Sequence, residues 1–273
     1  MTERMVCTDA LGVEHRRADP EFRIVSLVPS LTELLCELGL SSSIVGRTGF
    51  CIHPRATVKE IEKVGGTKDV NVQKIREMHP THVVVNIDEN TKEIADELGT
   101  FVEHIVVTHP NVPRDNIALF DTMGFIFSAE ERAAALVEKF TNRLTTLNRA
   151  KQNAACDVLY LIWRDPWMTI SPQTYISNML DLIDWHCVAH DSLDRYPSIE
   201  LSDYVGRVSK VLLSSEPYPF REKHLEEVRK LFGSSATVSL VDGEMLSWYG
   251  SRSIEGLEYL NQLSAAESQE RVA

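Results

Sequence analysis

The sequence predicts an α/β protein in which two parallel-sheet lobes are joined by one long backbone helix. Strand-like and helix-like segments alternate over residues 24–107, which is the pattern of a parallel sheet flanked by helices. A segment without Gly or Pro follows at residues 129–154, and the alternation resumes from residue 157. With 273 residues and 43% hydrophobic content, the chain can bury a sizeable core as one large domain or as two lobes.

The first strand and helix are indicated by a short apolar run and a helical stripe. Ile24–Val28 is typical of a buried strand, and Pro29 cannot donate a ladder hydrogen bond, so pairing is expected to stop there. Ser30 and Glu33 match an S-x-x-E capping box, and Gly39 supplies a left-handed stop. One helix face carries Leu31, Leu34, Leu35 and Leu38.

The other elements follow from the same periodicities. Extended segments are predicted at residues 44–46, 82–87, 102–107, 157–163, 210–214 and 237–241. Helices are predicted at residues 72–78, 91–98, 114–125, 175–185, 221–232 and 253–263. The long segment repeats apolar residues at helical spacing, with Ala133, Leu136, Phe140, Leu144 and Leu147. A helix of about 24 residues would span roughly 36 Å, which suits a connector between lobes, although an amphipathic helix packed on one lobe has the same pattern.

These elements predict five regions along the chain. A polar tail at residues 1–22 precedes an N-terminal α/β lobe at 23–127 and a connecting backbone helix at 128–154. A C-terminal α/β lobe at 155–263 precedes a second polar tail at 264–273, which is expected to fray.

Charge and cysteine content exclude several classes of protein. Lys and Arg total 28 against 40 Asp and Glu, and the net charge of −12 argues against nucleic acid as a partner. Five cysteines without a C-x-x-C motif argue against a disulfide framework.

No stretch reaches the roughly 18 apolar residues of a membrane span. Residues 1–22 contain no apolar run of a secretion signal, so we expect a cytoplasmic location, or a periplasmic one if the natural chain begins elsewhere.

The loop after the second strand is a candidate site, because open α/β sheets place ligands at the carboxyl ends of their strands. This loop, residues 46–54, contains Arg47, Phe50, Cys51 and His53. Cys51 and His53 could act as nucleophile and base, but the sequence places no third group to orient them. We therefore favour a structured loop over a catalytic one.

Histidines raise a metal hypothesis. The spacings are His79-x2-His82, His104 with His109, and His186 with His190 at i, i+4. No third or fourth ligand stands at a fixed interval. Histidines that are exposed or hydrogen-bonded within the fold are the interpretation we favour, and we predict no metal site.

The tryptophans suggest a binding surface. Two loop-like motifs, W-R-D-P-W at residues 163–167 and S-W-Y-G-S-R at 247–252, place flat apolar rings beside guanidinium groups. This combination suits a large, partly flat ligand with polar or acidic edges. The alternative is that these rings cap the ends of the sheet.

Several motifs carry a resemblance to a known family. They are I-V-S-L-V-P-S-L-T-E-L-L, then V-G with Phe50 and H-P, V-G-G-T-K-D-V-N-V-Q-K-I, H-P-T-H-V-V-V, the long helix, and R-Y-P at residues 195–197. From about Phe22 to Leu263 the chain resembles the substrate-binding proteins of cobalamin and iron-siderophore uptake transporters. The resemblance implies a class III periplasmic-binding-protein fold with a ligand cleft between the lobes.

The resemblance also implies a set of ligand-binding residues and some departures. It implies Phe50, Tyr196, Ser247, Trp248, Tyr249, Arg252 and the loop after Trp163. With the residues of the candidate loops, the predicted ligand-binding set is Arg47, Phe50, Thr67, Asn86, Trp163, Arg164, Trp167, Tyr196, Ser247, Trp248, Tyr249 and Arg252. Thr67 and Asn86 stand where cobalamin-binding members carry tryptophans, and Ser247 stands where they carry an acid. The family docks on a permease through an acid on each lobe, and Gln73 and Ser202 occupy those positions here, with Glu200 and Asp203 close to the second.

The resulting expectation is non-enzymatic binding of a corrinoid, an iron chelate or a related tetrapyrrole, with no cofactor required and the protein a monomer. It would serve as the substrate-binding component of ABC-type uptake, or as a cytosolic relative of one. The alternatives are a tetrapyrrole- or metal-handling enzyme such as a chelatase, and a receptor for a free metal ion.

Overall fold

The structure is a computed structural model that describes residues 5–150, 155–190 and 192–270, with the backbone alone for 148–150 and 267–270. The chain forms two compact units. Unit 1 comprises Met1–Pro110, Arg114–Phe140 and Tyr249–Arg252, and unit 2 comprises Asn111–Pro113, Thr141–Trp248 and Ser253–Ala273. Each unit has its own parallel sheet, so the predicted α/β class with two parallel-sheet lobes is confirmed.

Unit 1 contains a five-stranded parallel sheet in the order β5-β4-β3-β6-β7, with a separate hairpin of β1 and β2. The strands are β1 (Cys7–Thr8), β2 (Glu14–His15), β3 (Ile24–Ser26), β4 (Ile44–Arg47), β5 (Glu62–Lys63), β6 (His82–Asn86) and β7 (His104–Thr108). The helices are α1 (Pro29–Glu37), α2 (Arg55–Val58), α3 (Val72–Glu77), α4 (Lys92–Leu98), α5 (Asp115–Ile126) and the first part of α6 (Glu130–Ala150).

The central strands of unit 1 are apolar because helices cover both faces of a parallel sheet. All residues of β3 and β6 are buried, and Val25 lies opposite Val83 in the ladder between them. The core on one side contains Val25, Leu27, Val64, Ile75, Val83, Val85 and Leu98.

Unit 2 contains a second parallel sheet in the order β10-β8-β11-β12, with β9 antiparallel to β8. Its strands are β8 (Cys156–Trp163), β9 (Met168–Thr169), β10 (Trp185–Cys187), β11 (Lys210–Ser214) and β12 (Thr237–Val241). Its helices are α7 (Tyr175–Asp181), α8 (Glu222–Phe232), α9 (Gly243–Ser247) and α10 (Ser253–Glu270), and 3₁₀ turns occur at Ser41–Ser43 in unit 1 and Leu201–Tyr204 in unit 2. Leu159, Leu161, Val211, Leu213 and Val228 are among the residues of its core.

The long helix is confirmed as α6, and the chain passes from unit 1 to unit 2 within it, after Phe140. Its predicted apolar stripe, Ala133, Leu136, Phe140, Leu144 and Leu147, is buried. Residues 151–154, which the prediction added to this helix, lie outside the described residues. None of the helices in the described part of the chain combines the length and apolar character that a bilayer crossing requires.

The predicted start of α1 is wrong. The helix begins at Pro29, its N-cap is Val28 with extended backbone, and no side chain caps it. Proline is favoured in the first turn of a helix because the amide it lacks would have no intrahelical partner there. Ser30 therefore lies inside the helix, and Glu33 forms an ion pair with Arg252 rather than a capping box. The left-handed stop at Gly39 is confirmed, with φ +81.

The helix predicted over residues 175–185 is also shorter than expected. It ends at Asp181, and Trp185–Cys187 forms the edge strand β10, which pairs with β8. His186 therefore lies on a strand, where its imidazole bonds to Asp181 at 2.7 Å. The i, i+4 helical spacing proposed for His186 and His190 does not exist.

Both polar tails are more structured than predicted. Helix α10 continues through residues 264–270 to Glu270. At the other end, the hairpin of β1 and β2 bonds to β7, because Ala10 donates to the carbonyl of Val107 at 3.0 Å. The Asp9 side chain is 1% exposed and accepts hydrogen bonds from the backbone amides of Leu11, Val13 and Val107. It also contacts His15 Nε2 at 3.1 Å.

Replacing Asp9 is expected to destabilise unit 1. Asp9→Ala would leave the buried amide of Val107 and the His15 imidazole without their acceptor, so we expect the free energy of unfolding to fall by about 2–3 kcal/mol. Urea denaturation followed by circular dichroism measures this. The control is Asp19→Ala, at an exposed position in the same segment, and an equal loss in both variants would contradict the assigned role of Asp9.

Candidate functional site

The carboxyl ends of the parallel strands in each unit mark the candidate binding face. In unit 1 the most exposed aromatic ring at this edge is Phe50, which is 63% exposed in the loop after β4. The loop is held by backbone hydrogen bonds, since the Gly49 amide donates to the carbonyl of Gly65, after β5, at 2.7 Å and the Cys51 amide donates to the Thr48 carbonyl within the loop at 3.2 Å. A Cβ on Gly66 would lie 3.4 Å from the Phe50 ring, so the ring lies over a residue without a side chain.

Cys51 is a structural residue of this loop. Its side chain is fully buried, and the hydroxyls of Thr32 and Thr48 lie 3.0 and 3.1 Å from its sulfur. Burial raises the pKa of the Cys51 thiol above its ordinary value, despite the hydrogen bonds that lower it. A neutral, enclosed thiol is a poor nucleophile, which favours the structured-loop interpretation of Cys51 and His53.

Three further predicted residues lie in unit 1 with different degrees of exposure. Arg47 is 4% exposed, and its guanidinium donates to the carbonyls of Val58 and Thr48 at 2.9 and 3.0 Å. Asn86 is buried, and its side chain donates to Thr108 and accepts from the Asp88 amide. Thr67 is half-buried. Asn86 therefore supports the strand end from inside the fold.

In unit 2 the W-R-D-P-W loop presents one ring and packs the other. Trp163 is 41% exposed and makes an edge contact with Tyr218 at 5.6 Å between ring centroids. Trp167 stacks on Phe220 with an interplanar angle of 2°. The Arg164 guanidinium, predicted to face a ligand, bonds through Nε and Nη2 to the Glu227 carboxylate, both at 3.1 Å.

Glu216 is a residue of this face that the sequence interpretation missed. It follows β11, and its Oε1 accepts hydrogen bonds from the Ser247 hydroxyl and the Trp248 indole, both at 2.7 Å. Trp248 is 7% exposed, so this contact fixes a ring that packs within the protein. Burial raises the pKa of Glu216, and the nearby carboxylates of Glu244 and Asp242 act in the same direction. The sequence signal that could have identified Glu216 is an acidic residue two positions after a predicted strand.

The last predicted residues, Tyr249 and Arg252, belong to unit 1 rather than to the C-terminal lobe that the sequence assigned them to. The Tyr249 hydroxyl donates to Glu89 at 2.7 Å, and the Gly250 amide donates to Asn116 at 2.6 Å. The Arg252 guanidinium binds both oxygens of Glu33, at 2.8 and 2.5 Å. We name these four residues, Tyr249–Arg252, the return segment, and its side-chain contacts explain its grouping with unit 1.

Tyr196 is half-buried in unit 2, beside Arg195, whose guanidinium donates to Asn111 at 2.8 Å. At the two positions compared with docking acids, both side chains are exposed. Gln73 lies on α3, where its amide donates to Glu77 at 3.0 Å, and Ser202 lies in the 3₁₀ turn Leu201–Tyr204. An acid thus lies one helical turn from Gln73, and Asp203 is adjacent to Ser202.

Histidines do not gather into a metal site in the described part of the chain, where no group of three or more His, Cys, Asp or Glu residues is arranged to hold an ion. His82 is buried and stacks on His104 at 4.6 Å between centroids. Burial, followed by the charges of His104 and His15, lowers the pKa of His82 to about 4. His82 is therefore a neutral core residue at physiological pH.

Most of the chain matches one known protein family. Residues 24–202 match the sequence profile of the periplasmic binding proteins. The chain belongs to this family. The predicted family resemblance is thus confirmed, and the binding role of the individual site residues stays a prediction.

Individual relatives are distant in sequence and similar in fold. The vitamin B12-binding protein of Yersinia pestis is 23% identical over 194 residues, which cover 71% of this chain and 69% of the relative. The structure of the periplasmic vitamin B12-binding protein BtuF of Vibrio cholerae has a TM-score of 0.78 at 16% identity, covering 90% of this chain and 98% of that protein. The heme-binding protein HutB of the same species gives 0.73 at 19% identity, covering 89% and 98%. Because these identities are low, the solved structures establish the fold alone, which is the class III periplasmic-binding-protein fold.

The buried ion pair of the return segment predicts a large loss of stability when it is broken. Arg252→Ala would leave the Glu33 carboxylate, whose side chain is 13% exposed, without its guanidinium, so we expect the free energy of unfolding to fall by about 3–5 kcal/mol. The matched control is Arg143→Ala, which breaks an exposed pair with Glu258 and should cost less than about 1 kcal/mol. Similar losses in both variants would contradict this assignment.

The raised pKa of Glu216 predicts how the stability of the folded protein depends on pH. Because its pKa is higher in the folded protein than its ordinary value of 4.5, folding disfavours the charged carboxylate. Its contribution to stability is therefore largest at low pH and is lost as the pH rises from 4.5 through the folded pKa. Glu216→Gln keeps an acceptor for Ser247 and Trp248 and removes this loss, so the variant should gain stability relative to the wild type as the pH rises.

Urea midpoints of wild type and variant, measured from about pH 4 to pH 8, give this difference directly. Glu226→Gln, at an exposed position on α8, is the control and should show no such trend. A difference between Glu216→Gln and wild type that does not change with pH would contradict the assigned burial of the charge.

Proposed function

We propose that this protein binds either a metal-chelating macrocycle, such as a corrinoid or a heme, or an iron chelate, such as a siderophore complex. It binds the ligand without changing it chemically. The observation that carries the proposal is the 63% exposure of Phe50 on a loop held by backbone hydrogen bonds at the carboxyl edge of the unit 1 sheet. A large exposed ring on a structured loop suits a flat, partly apolar ligand.

Unit 2 supplies a similar feature at the equivalent edge of its own sheet. Trp163 ends β8 with 41% of its surface exposed, and the edge contact with Tyr218 restricts the orientation of the indole. The ligands named for the relatives support the same chemical class, since one relative binds vitamin B12 and another binds heme.

The predicted site residues take two roles in this proposal. Phe50, Trp163, Thr67 and Tyr196 keep exposed or half-exposed surface and are proposed to touch the ligand. Other members bond within the fold and are proposed to hold the binding face in shape; they are Asn86, Arg164, Trp248, Tyr249 and Arg252. Rings held before the ligand arrives lose little rotational freedom on binding, so more of their contact energy remains as affinity.

The binding test uses purified full-length protein incubated with cobalamin, cobinamide, heme and ferric siderophores, followed by gel filtration with detection of ligand absorbance. We expect one of these ligands to co-elute. For that ligand, Phe50→Ala and Trp163→Ala should each raise the dissociation constant about three- to tenfold, because each removes an aromatic contact worth about 0.5–1.5 kcal/mol. Fluorescence quenching titrations give the constants.

Leu231→Ala is the control, since it truncates a side chain that is 44% exposed on α8, away from the strand ends. It should leave the dissociation constant unchanged. Failure of all four ligand types to co-elute, or equal affinities for Phe50→Ala and Leu231→Ala, would refute the proposal. Turnover of a bound porphyrin or corrinoid in the presence of metal ions would indicate the chelatase alternative instead.

We also propose the family's role in uptake, with the loaded protein engaging an ABC permease. Glu77 and Asp203 are acids beside the two positions, Gln73 and Ser202, that correspond to docking acids in the family. Monomeric state and cellular location stay predictions. Cell fractionation with an antibody to the natural protein distinguishes a cytoplasmic from a periplasmic location.

A further inference from the structure

A cavity in unit 1 has a different chemistry from the exposed aromatic surface around Phe50. It measures about 420 Å³ and lies among β4, α2 and β5. Four of its lining residues are cationic, Arg47, Arg55, Lys59 and Lys63, and the apolar part includes Ile52 and Val58. We name it the Arg47 pocket. Neither Phe50 nor any carboxylate belongs to its lining among the residues that the structure describes.

Arg47 is the distinctive residue of the pocket. Its side chain is almost fully buried, yet its two hydrogen bonds go to backbone carbonyls, which carry no net charge. Within the described ranges, no carboxylate lies within ion-pair distance of its guanidinium. A guanidinium has five N–H donors in a planar fork, so donors remain after these two bonds. Burying such a charge without an anion is unfavourable unless another group compensates it.

The residues at the rim of the pocket add further positive charge to that of Arg47. Arg55 and Lys63 are exposed and form no ion pair with any described residue, and Lys59 contacts only the exposed Glu60 carboxylate at 3.5 Å. This cationic group lies on a chain whose net charge is −12. An arrangement of this kind attracts anions locally against the overall charge of the protein.

The apolar side of the pocket limits the kind of anion. Ile52 is 48% exposed and Val58 is buried, so the wall beside Arg47 is aliphatic. We propose that the Arg47 pocket binds a small oxyanion, a carboxylate or phosphate group carried by a molecule with a short apolar part. The guanidinium binds the oxyanion by charge-assisted hydrogen bonds, Arg55 and Lys63 attract it, and Ile52 packs on the apolar part.

The test uses hexanoate and inorganic phosphate as probes, with hexan-1-ol as the uncharged analogue of hexanoate. Isothermal titration calorimetry of the full-length protein should show saturable binding of hexanoate or phosphate below about 10 mM, weaker at high salt, and no binding of hexan-1-ol. Binding of hexanoate alone assigns a carboxylate ligand, and binding of phosphate alone assigns a phosphate ligand.

Two variants examine the residues of the pocket. Arg47→Met removes the buried charge and should weaken binding about tenfold or more. Because that variant could lose stability together with its two carbonyl hydrogen bonds, Arg55→Gln/Lys63→Gln provides a second measurement at exposed positions and should weaken binding severalfold. The control, Lys223→Gln/Lys230→Gln, makes the same change of net charge at exposed positions of α8 and should leave the affinity unchanged.

Absence of saturable binding of both anions to the wild type would overturn the proposal. Equal affinities in Arg55→Gln/Lys63→Gln and in the α8 control would overturn it as well. The Phe50→Ala variant separates this site from the macrocycle-binding face, because it should retain the anion affinity of the wild type while losing affinity for the chelate.

Discussion

The buried pair between Arg252 and Glu33 is the interaction on which the arrangement of the candidate site depends. It joins residues 219 positions apart in the chain and brings the return segment into unit 1. A buried ion pair adds little net stability over an apolar contact, but loss of one partner leaves an unpaired charge. Gly250 contributes to the same constraint, since it has φ +82 and a Cβ there would approach the Ser30 carbonyl at 3.3 Å. This pair therefore specifies where the return segment lies.

Internal contacts of this kind divide the polar and aromatic residues at the strand ends into two groups. Tyr249 is bonded to Glu89 and Trp248 to Glu216, so their polar atoms are already satisfied inside the fold. Phe50 and Trp163 keep most or much of their surface in solvent. Exposed rings on loops that the buried groups hold in place form a surface that needs little reorganisation to bind. The bonded residues therefore stabilise the loops, and the stabilised loops leave the rings of Phe50 and Trp163 exposed for binding.

The sequence predicted the fold well where the signal is local and failed where a distant residue decides. The apolar runs of β3 and β6 and the periodic stripe of α6 are local patterns, and each predicts its element to within a few residues. The hairpin of β1 and β2 was missed because its strands are short and depend on the bond between Asp9 and Val107, 98 positions away. Glu33 was assigned to a local cap, which the S-x-x-E pattern favours, whereas its partner is in the return segment. Glu89 and Glu216 were missed for the same reason.

The charged residues that bond inside unit 1 differ in a way that bears on where anions can bind. The acids Glu33 and Glu89 accept hydrogen bonds from the return segment, so Glu33 is neutralised by Arg252 and Glu89 is bonded to a phenol. Arg47, which is more deeply buried than either acid, bonds only to neutral carbonyls among the described residues. A net charge of −12 over the chain therefore does not describe the local field, because some of the acids are used in internal bonds while a cationic group stays open to solvent. Anion recognition is consistent with an acidic protein when some of its acids are bonded internally and a buried base has no acid beside it.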